Sequence, residues 1–134
     1  MKKKKKKKKQ KKKKKKSKKT PRFIINVSSP EGVFNTSFKS SAHPHTNMAK
    51  AALNQLTLTC SSELAASEIY MNSVDTGWVS KMSPTPLQST TRKTPLDEED
   101  GAARILDPIF SIVNSNIFNY PFGVFFQNFM KSDW

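Results

Sequence analysis

The sequence predicts an α/β fold with a parallel sheet of about three strands and two main helices, behind a disordered poly-Lys tail. Three observations carry this. Short runs rich in β-branched residues alternate with longer segments of helical period. Their order is strand, helix, strand, helix, strand, which is how parallel βαβ units are written in sequence. Nearly all of the excess positive charge lies before the first strand.

The chain has 134 residues and a formal net charge of +14, from 24 Lys+Arg against 10 Asp+Glu. Sixteen lysines fall in residues 2–19, interrupted only by Gln10 and Ser17. Beyond position 19 only 8 basic residues remain against all 10 acids. The body is therefore slightly acidic, which excludes a basic globular domain. With no apolar side chain after Met1 and dense like charge, residues 1–21 have nothing to offset the entropy of ordering. Residues 22–134 are long enough for one modest core. Thr20-Pro21-Arg22 is the expected hinge, since Pro21 disfavours helix at Thr20.

Phe23-Ile24-Ile25-Asn26-Val27-Ser28 reads as a buried strand. Ser29 to His45 is rich in Ser, Pro, Asn and His and reads as loop. From Thr46 to Ala66, Ala49, Leu53, Leu56, Cys60 and Leu64 recur at helical spacing and predict the buried stripe of a long helix. Ile69 to Val74 is the second strand. A Pro/Ser/Thr-rich loop follows, from Asp75 to about Thr94. Asp97 or Thr94 caps a second helix, with Glu98, Glu99 and Asp100 at its positive end. Its predicted apolar face is Ala102, Ile105, Leu106, Ile109, Phe110 and Val113, and Pro108 is expected to kink or shorten it. Gly123 to Gln127 is a short third strand.

Cys60 is the only cysteine, so no intrachain disulfide is available, and a reducing compartment fits. No apolar run approaches the ~18 residues of a membrane span, so no transmembrane segment is expected. The N-terminus is neither a secretory signal nor an Arg-rich presequence. A cytoplasmic location is expected, or a nuclear one if the lysines act as an address.

Three blocks resemble the short-chain dehydrogenase/reductase family. Asn26-Val27-Ser28-Ser29-Pro30-Glu31-Gly32 is similar to the family's N-[VI]-S-S-x-x-G at the end of its fifth strand. Ala49-Lys50-Ala51-Ala52-Leu53 with Glu63-Leu64 is similar to S-K-A-A-L…E-L on the helix that follows. Asn72-Ser73-Val74-Asp75-Thr76-Gly77-Trp78-Val79 is similar to N-x-V-x-P-G-x-[VI] after the sixth strand. The likeness spans about residues 22–134 and corresponds to the C-terminal half of a family member.

The resemblance implies a partial Rossmann-like sheet and hydride transfer with NAD or NADP on a small carbonyl or alcohol. A Ser hydroxyl polarises the carbonyl, a Tyr phenol moves the proton, and a Lys four residues later binds the nicotinamide ribose and lowers the phenol's pKa. Ser29 takes the Ser role and Lys50 the Lys role. Lys50, Thr76, Gly77 and Val79 fall at cofactor-binding positions. The Tyr position is Thr46, whose aliphatic hydroxyl is far harder to ionise than a phenol at ~10. The loop before Thr46 is also longer than the family's, and His43 or His45 is the alternative proton carrier. The four glycines, Gly32, Gly77, Gly101 and Gly123, are too far apart to form a Gly-rich phosphate loop. The resemblance therefore implies a fragment without independent catalysis.

Plainer readings account for the other polar groups. His43 and His45 could bind a metal as a His-x-His pair, but no Cys or carboxylate lies nearby in sequence, so they read as loop histidines. Asp97 to Asp100 read as a helix first turn. The C-terminal aromatics lack interleaved Lys or Arg and read as core, or as a dimer or substrate-loop surface. The lysine tail has three readings: binding to nucleic acid or anionic membrane, a nuclear address, or A-rich DNA translated in frame with a gene fragment. Three functions are thus expected, in order: an inactive family fragment, a polyanion binder, or an oxidoreductase using a non-classical proton donor or a second chain. The first strand's open apolar edge also implies self-association.

Overall fold

The computed structural model describes residues 20–36, 39, 41, 43–79, 93–114 and 119–134. Strand β1 spans Arg22–Ser28 and is followed by a single 3₁₀ turn, Pro30–Gly32. Helix α1 spans Pro44–Ala66, strand β2 Ile69–Asp75 and helix α2 Glu98–Val113. Strands β3 (Phe125–Gln127) and β4 (Met130–Ser132) close the chain. The lysine-rich segment and the middle of the loop after β2, residues 80–92, lie outside the described residues.

The sheet has the order β1-β2-β3-β4. β2 pairs in parallel with both β1 and β3. β4 pairs antiparallel with β3, so the sheet is four-stranded and mixed rather than three-stranded and parallel. Asn128 and Phe129 make the hairpin turn with positive φ angles of 49° and 64°. β4 is three residues long, Met130-Lys131-Ser132, with no apolar pattern to announce it. Gly123 and Val124 precede β3 rather than belonging to it.

Register fixes which side chains meet. Ile24↔Met71, Asn26↔Ser73 and Ser28↔Asp75 are opposite one another on the face that α1 covers. Phe23↔Tyr70, Ile25↔Asn72 and Val27↔Val74 occupy the other face, where α2 packs over β1 and β2. At the β1 start, the Arg22 N–H donates to the Glu68 carbonyl at 3.0 Å and its guanidinium donates to the Ser67 carbonyl at 2.9 Å. Phe23, Tyr70 and Tyr120 form an aromatic cluster there, the two tyrosine rings 4.7 Å apart. Burial, then Glu68, then Tyr120 push the Tyr70 phenol above its ordinary pKa.

α1 begins earlier than its periodicity indicates, at Pro44, whose fixed φ and missing N–H suit the first helical position. Its buried stripe also differs. Ala49 and Leu56 are exposed, and Leu53, Cys60 and Leu64 only half-buried. The residues sealed against the sheet are Asn54, Thr57 and Ser61. Thr57 is the centre of this stripe. Its hydroxyl accepts from Asn26 Nδ2 at 2.8 Å and donates to the Leu53 carbonyl at 2.9 Å. Having used its single proton, it takes the Ser73 hydroxyl as a donor at 2.7 Å. Ser28 Oγ donates to Asn54 Oδ1 at 2.5 Å. The helix buries hydroxyls and amides because the strand residues facing it, Asn26, Ser28 and Ser73, are themselves polar.

α2 is capped by Asp97, not Thr94. The Asp97 side chain accepts from the Asp100 N–H and the Asp100 side chain accepts from the Asp97 N–H, a complete capping box. The helix continues through Pro108 without being shortened. Its buried residues are Gly101 and Pro108. Of the predicted apolar face, Ile105 and Ile109 are half-buried, while Ala102, Leu106, Phe110 and Val113 are exposed. Among the described residues no helix is long and apolar enough to cross a membrane.

Thr57→Val keeps the shape of the side chain but leaves Asn26 Nδ2 and Ser73 Oγ without their shared partner. Unpaired buried donors of this kind cost about 1–3 kcal/mol each. A urea unfolding curve of the variant should show a loss of about 2–6 kcal/mol for the two donors together, with an unchanged slope.

Candidate functional site

The C-terminal ends of β1 and β2 and the first half of α1 meet at one end of the sheet. Three contacts assemble them. The Ser28 hydroxyl lies 3.5 Å from the Lys50 carbonyl. The Lys50 ammonium donates to the Val27 carbonyl at 2.9 Å. Gly32 brings the 3₁₀ turn against the helix backbone: a Cβ there would lie 2.5 Å from the Lys50 carbonyl carbon and 2.6 Å from its oxygen. A side chain at position 32 would therefore collide with backbone, and glycine is required by the close approach rather than by its own φ.

These contacts set Lys50 against Val27 and Ser28, the residues just before Ser29. Ser29 has extended backbone, φ −163°, at the end of β1, and its Oγ is buried with no hydrogen-bond partner. An orphaned buried hydroxyl is uncommon in a folded protein and leaves a hydrogen-bonding group open to a further partner. Thr46 lies one turn before Lys50 on the same helix face, half-buried. His43 precedes the helix and His45 stands in its first turn. Both are exposed, with ring centroids 6.0 Å apart. No group of three or more His, Cys, Asp or Glu among the described residues could hold a metal ion.

The turn after β2 is held by Asp75, which is buried. One carboxylate oxygen accepts from the Gly77 N–H at 2.8 Å, and the other accepts from Gln127 Nε2 at 3.1 Å. Asp75 thus ties the β2 end to the β3 end and sets the turn that carries Thr76, Gly77 and Val79. Sequence reasoning missed both Asp75 and Gln127 as positioning residues. The signal available for Asp75 was an Asp two residues before a Gly, the pattern of an Asx turn.

Gly77 has φ +73°, and the space a Cβ would enter is filled by Leu96 and Arg104. Val79 packs its side chain on Gly101 at the start of α2. Gly77 and Val79 therefore lie against α2, at Arg104 and Gly101. Two cavities flank this end of the molecule. One, of about 200 Å³, is lined by residues including Pro30, Val33, Phe125 and Gln127. The other, of about 240 Å³, is lined by residues including Gly32, Phe34, Pro44, Met48 and Ala51. Neither lining includes Ser29, Thr46 or Lys50.

One curated protein matches this chain. It is an uncharacterized protein of Acanthamoeba polyphaga mimivirus, 35% identical over 97 residues. The match covers 66% of this chain and 21% of the viral protein, so the chain spans about a fifth of that relative's length. No family model matches the chain, and no solved structure matches it.

The residues around the site do not fit a whole dinucleotide. A pyrophosphate needs closely spaced backbone N–H groups, usually on a Gly-rich turn, and the four glycines of the chain are dispersed. The Lys50 ammonium is directed to the chain's own Val27 carbonyl, and the outer face of the Gly77 turn is covered by Leu96 and Arg104.

Gly32→Ala tests the assembly of this end. The new methyl meets backbone on both sides of the Lys50 peptide, so α1 must move off the turn. We expect destabilisation of about 1–3 kcal/mol, with faster amide hydrogen exchange concentrated in residues 44–54.

Proposed function

We propose that this chain is a short-chain dehydrogenase/reductase-like piece, partly Rossmann-like in architecture, that retains the Ser and Lys positions and does not transfer hydride by itself. One observation carries the reading. Ser29 and Lys50, far apart in sequence, share one end of the parallel strands, held by Val27, Ser28 and Gly32. The buried, unpartnered Ser29 hydroxyl is in keeping with a group reserved for a ligand. The turn 75–77, where the third sequence block falls, lies at the adjacent strand end.

Two features argue against catalysis by this chain. Thr46 stands where proton transfer needs a phenol, and an aliphatic hydroxyl is a poor acid or base near neutrality. The dinucleotide lacks its phosphate cradle, so NAD or NADP would meet at most the Ser29, Lys50 and Gly77 end. Titrating the full chain with NADH and NADPH, followed by nucleotide fluorescence, is expected to show no saturation below ~1 mM, an affinity of about 4 kcal/mol. Submillimolar binding would overturn this reading and favour an active oxidoreductase with an unconventional proton donor, His43 or His45.

A second reading is favoured by charge alone. Sixteen lysines precede a body that carries 8 basic and 10 acidic residues, so any polyanion affinity belongs to the tail. Binding to duplex DNA or anionic vesicles should fall steeply with salt. It should vanish in a chain lacking residues 2–19. Binding that survives the deletion sinks the polyanion reading.

A further inference from the structure

We infer that the groove between α1 and the turn after β1 is a second binding site, and that it takes a neutral carboxamide with an apolar substituent. The groove consists of two adjoining cavities that share Gly32, Phe34 and Ala51. The outer one is the cavity of about 240 Å³ beside Pro44 and Met48. The inner one, of about 90 Å³, continues along the next turns of the same helix to Asn54, Gln55 and Leu58, with Trp134 also in its wall. Neither lining includes Ser29, Thr46 or Lys50, so this site is separate from the one at the strand ends.

Asn54 is the residue that points to a ligand. Its side chain is only 5% exposed. Its Oδ1 accepts from Ser28 Oγ, which turns that corner of the planar amide toward β1. Nδ2, the other corner, is buried with no hydrogen-bond partner, and Asn54 lines the inner cavity. A buried donor left unpaired is costly, and an acceptor brought into the cavity removes that cost. Gln55 supplies the opposite group. Its Nε2 donates to Thr59 Oγ1 at 3.0 Å, which leaves Oε1 as an acceptor. One donor and one acceptor on consecutive residues of the inner cavity match the carbonyl and the N–H of a carboxamide. A ketone or an ester answers only the first.

The walls and the charges decide the remainder of the ligand. Phe34, Met48 and Leu58 are 86%, 72% and 50% exposed, so large apolar surface gathers along this one groove, as it does at ligand sites. Of the described residues lining the inner cavity none is charged, and an ion there would lose its water without gaining a partner. The outer cavity holds one acid and one base, Glu31 and Lys39, which offset each other. The Lys39 ammonium already donates to the Glu31 carbonyl. The amide therefore belongs in the inner cavity and the apolar chain beneath Phe34 and Met48. A free amide and a peptide bond beside an apolar side chain share this chemistry.

NMR titration of the full ¹⁵N-labelled chain with hexanamide tests the site. We expect a saturable shift of the Asn54 side-chain amide signals, with a Kd on the order of 1 mM for so small a ligand. Hexanoate, which is charged, and methyl hexanoate, which lacks the N–H, should each bind at least about threefold more weakly. Gln55→Ala changes an exposed helix position and should leave far-UV circular dichroism unchanged while weakening hexanamide by a similar factor. N-acetyl-leucine methylamide stands in for a peptide: binding tighter than hexanamide marks a peptide as the source, and weaker binding a free amide. No saturation with either amide, hexanoate or methyl hexanoate binding as tightly as hexanamide, or an unchanged affinity in Gln55→Ala would each overturn the proposal.

Discussion

The Thr57 hydroxyl holds α1 to the sheet, and most of the architecture depends on that contact. It joins Asn26 of β1, Ser73 of β2 and the helix's own backbone in one place. Apolar burial among the described residues is modest: the buried apolar side chains there are Val33, Met71, Val74, Phe125 and Phe126. Directional bonds therefore do much of the positioning that close apolar packing does elsewhere. Ser61 extends the same logic. Gly123, with φ +65°, passes so close that a Cβ would lie 2.6 Å from Ser61 Oγ. The segment entering β3 is thus set against α1 without any large side chain.

The candidate site inherits its order from this frame. Lys50 and Asn54 lie on the same helix face as Thr57, so the contacts that seat the helix also set Lys50 beside Val27 and Ser28. Asp75 does the corresponding work on β2. Asn72, three positions earlier in β2 and on the other face, donates to the Pro121 carbonyl and accepts from the Val124 N–H. Two buried polar residues of one strand thereby position both the turn before α2 and the approach to β3.

Much of the fold was legible in the residues. β1 and β2 were readable because β-branched runs flanked by turn residues have few other uses, and α2 because Asp97-Glu98-Glu99-Asp100 announces a helix start. The buried stripe of α1 was not readable from apolar period. Ala49, Leu53, Leu56, Cys60 and Leu64 are the apolar positions, yet the sheet presents Asn26, Ser28 and Ser73, and polar partners won. The exposed flank of α2 shows the same limit: periodicity finds an apolar stripe without saying what covers it. β4 rests on two positive-φ residues, Asn128 and Phe129, of which Phe gives no turn signal. At the site, the motif blocks pointed to the β1 end and to Lys50, which the fold sets against Val27 and Ser28. The Asp75–Gln127 contact spans 52 positions and only the tertiary fold brings it about.

The polar stripe of α1 also bears on how accurately the chain can fold. An apolar helix tolerates small slips, because oil-like contact has little direction. Here a one-residue slip of β1 against β2 would turn Asn26 and Ser28 to the opposite face. Thr57 and Asn54 would then be sealed against side chains that cannot bond them. The misregistered sheet loses several buried hydrogen bonds at once, so the helix acts as a checking gauge for strand alignment, and α1 docks stably only on a correctly threaded β1–β2 pair.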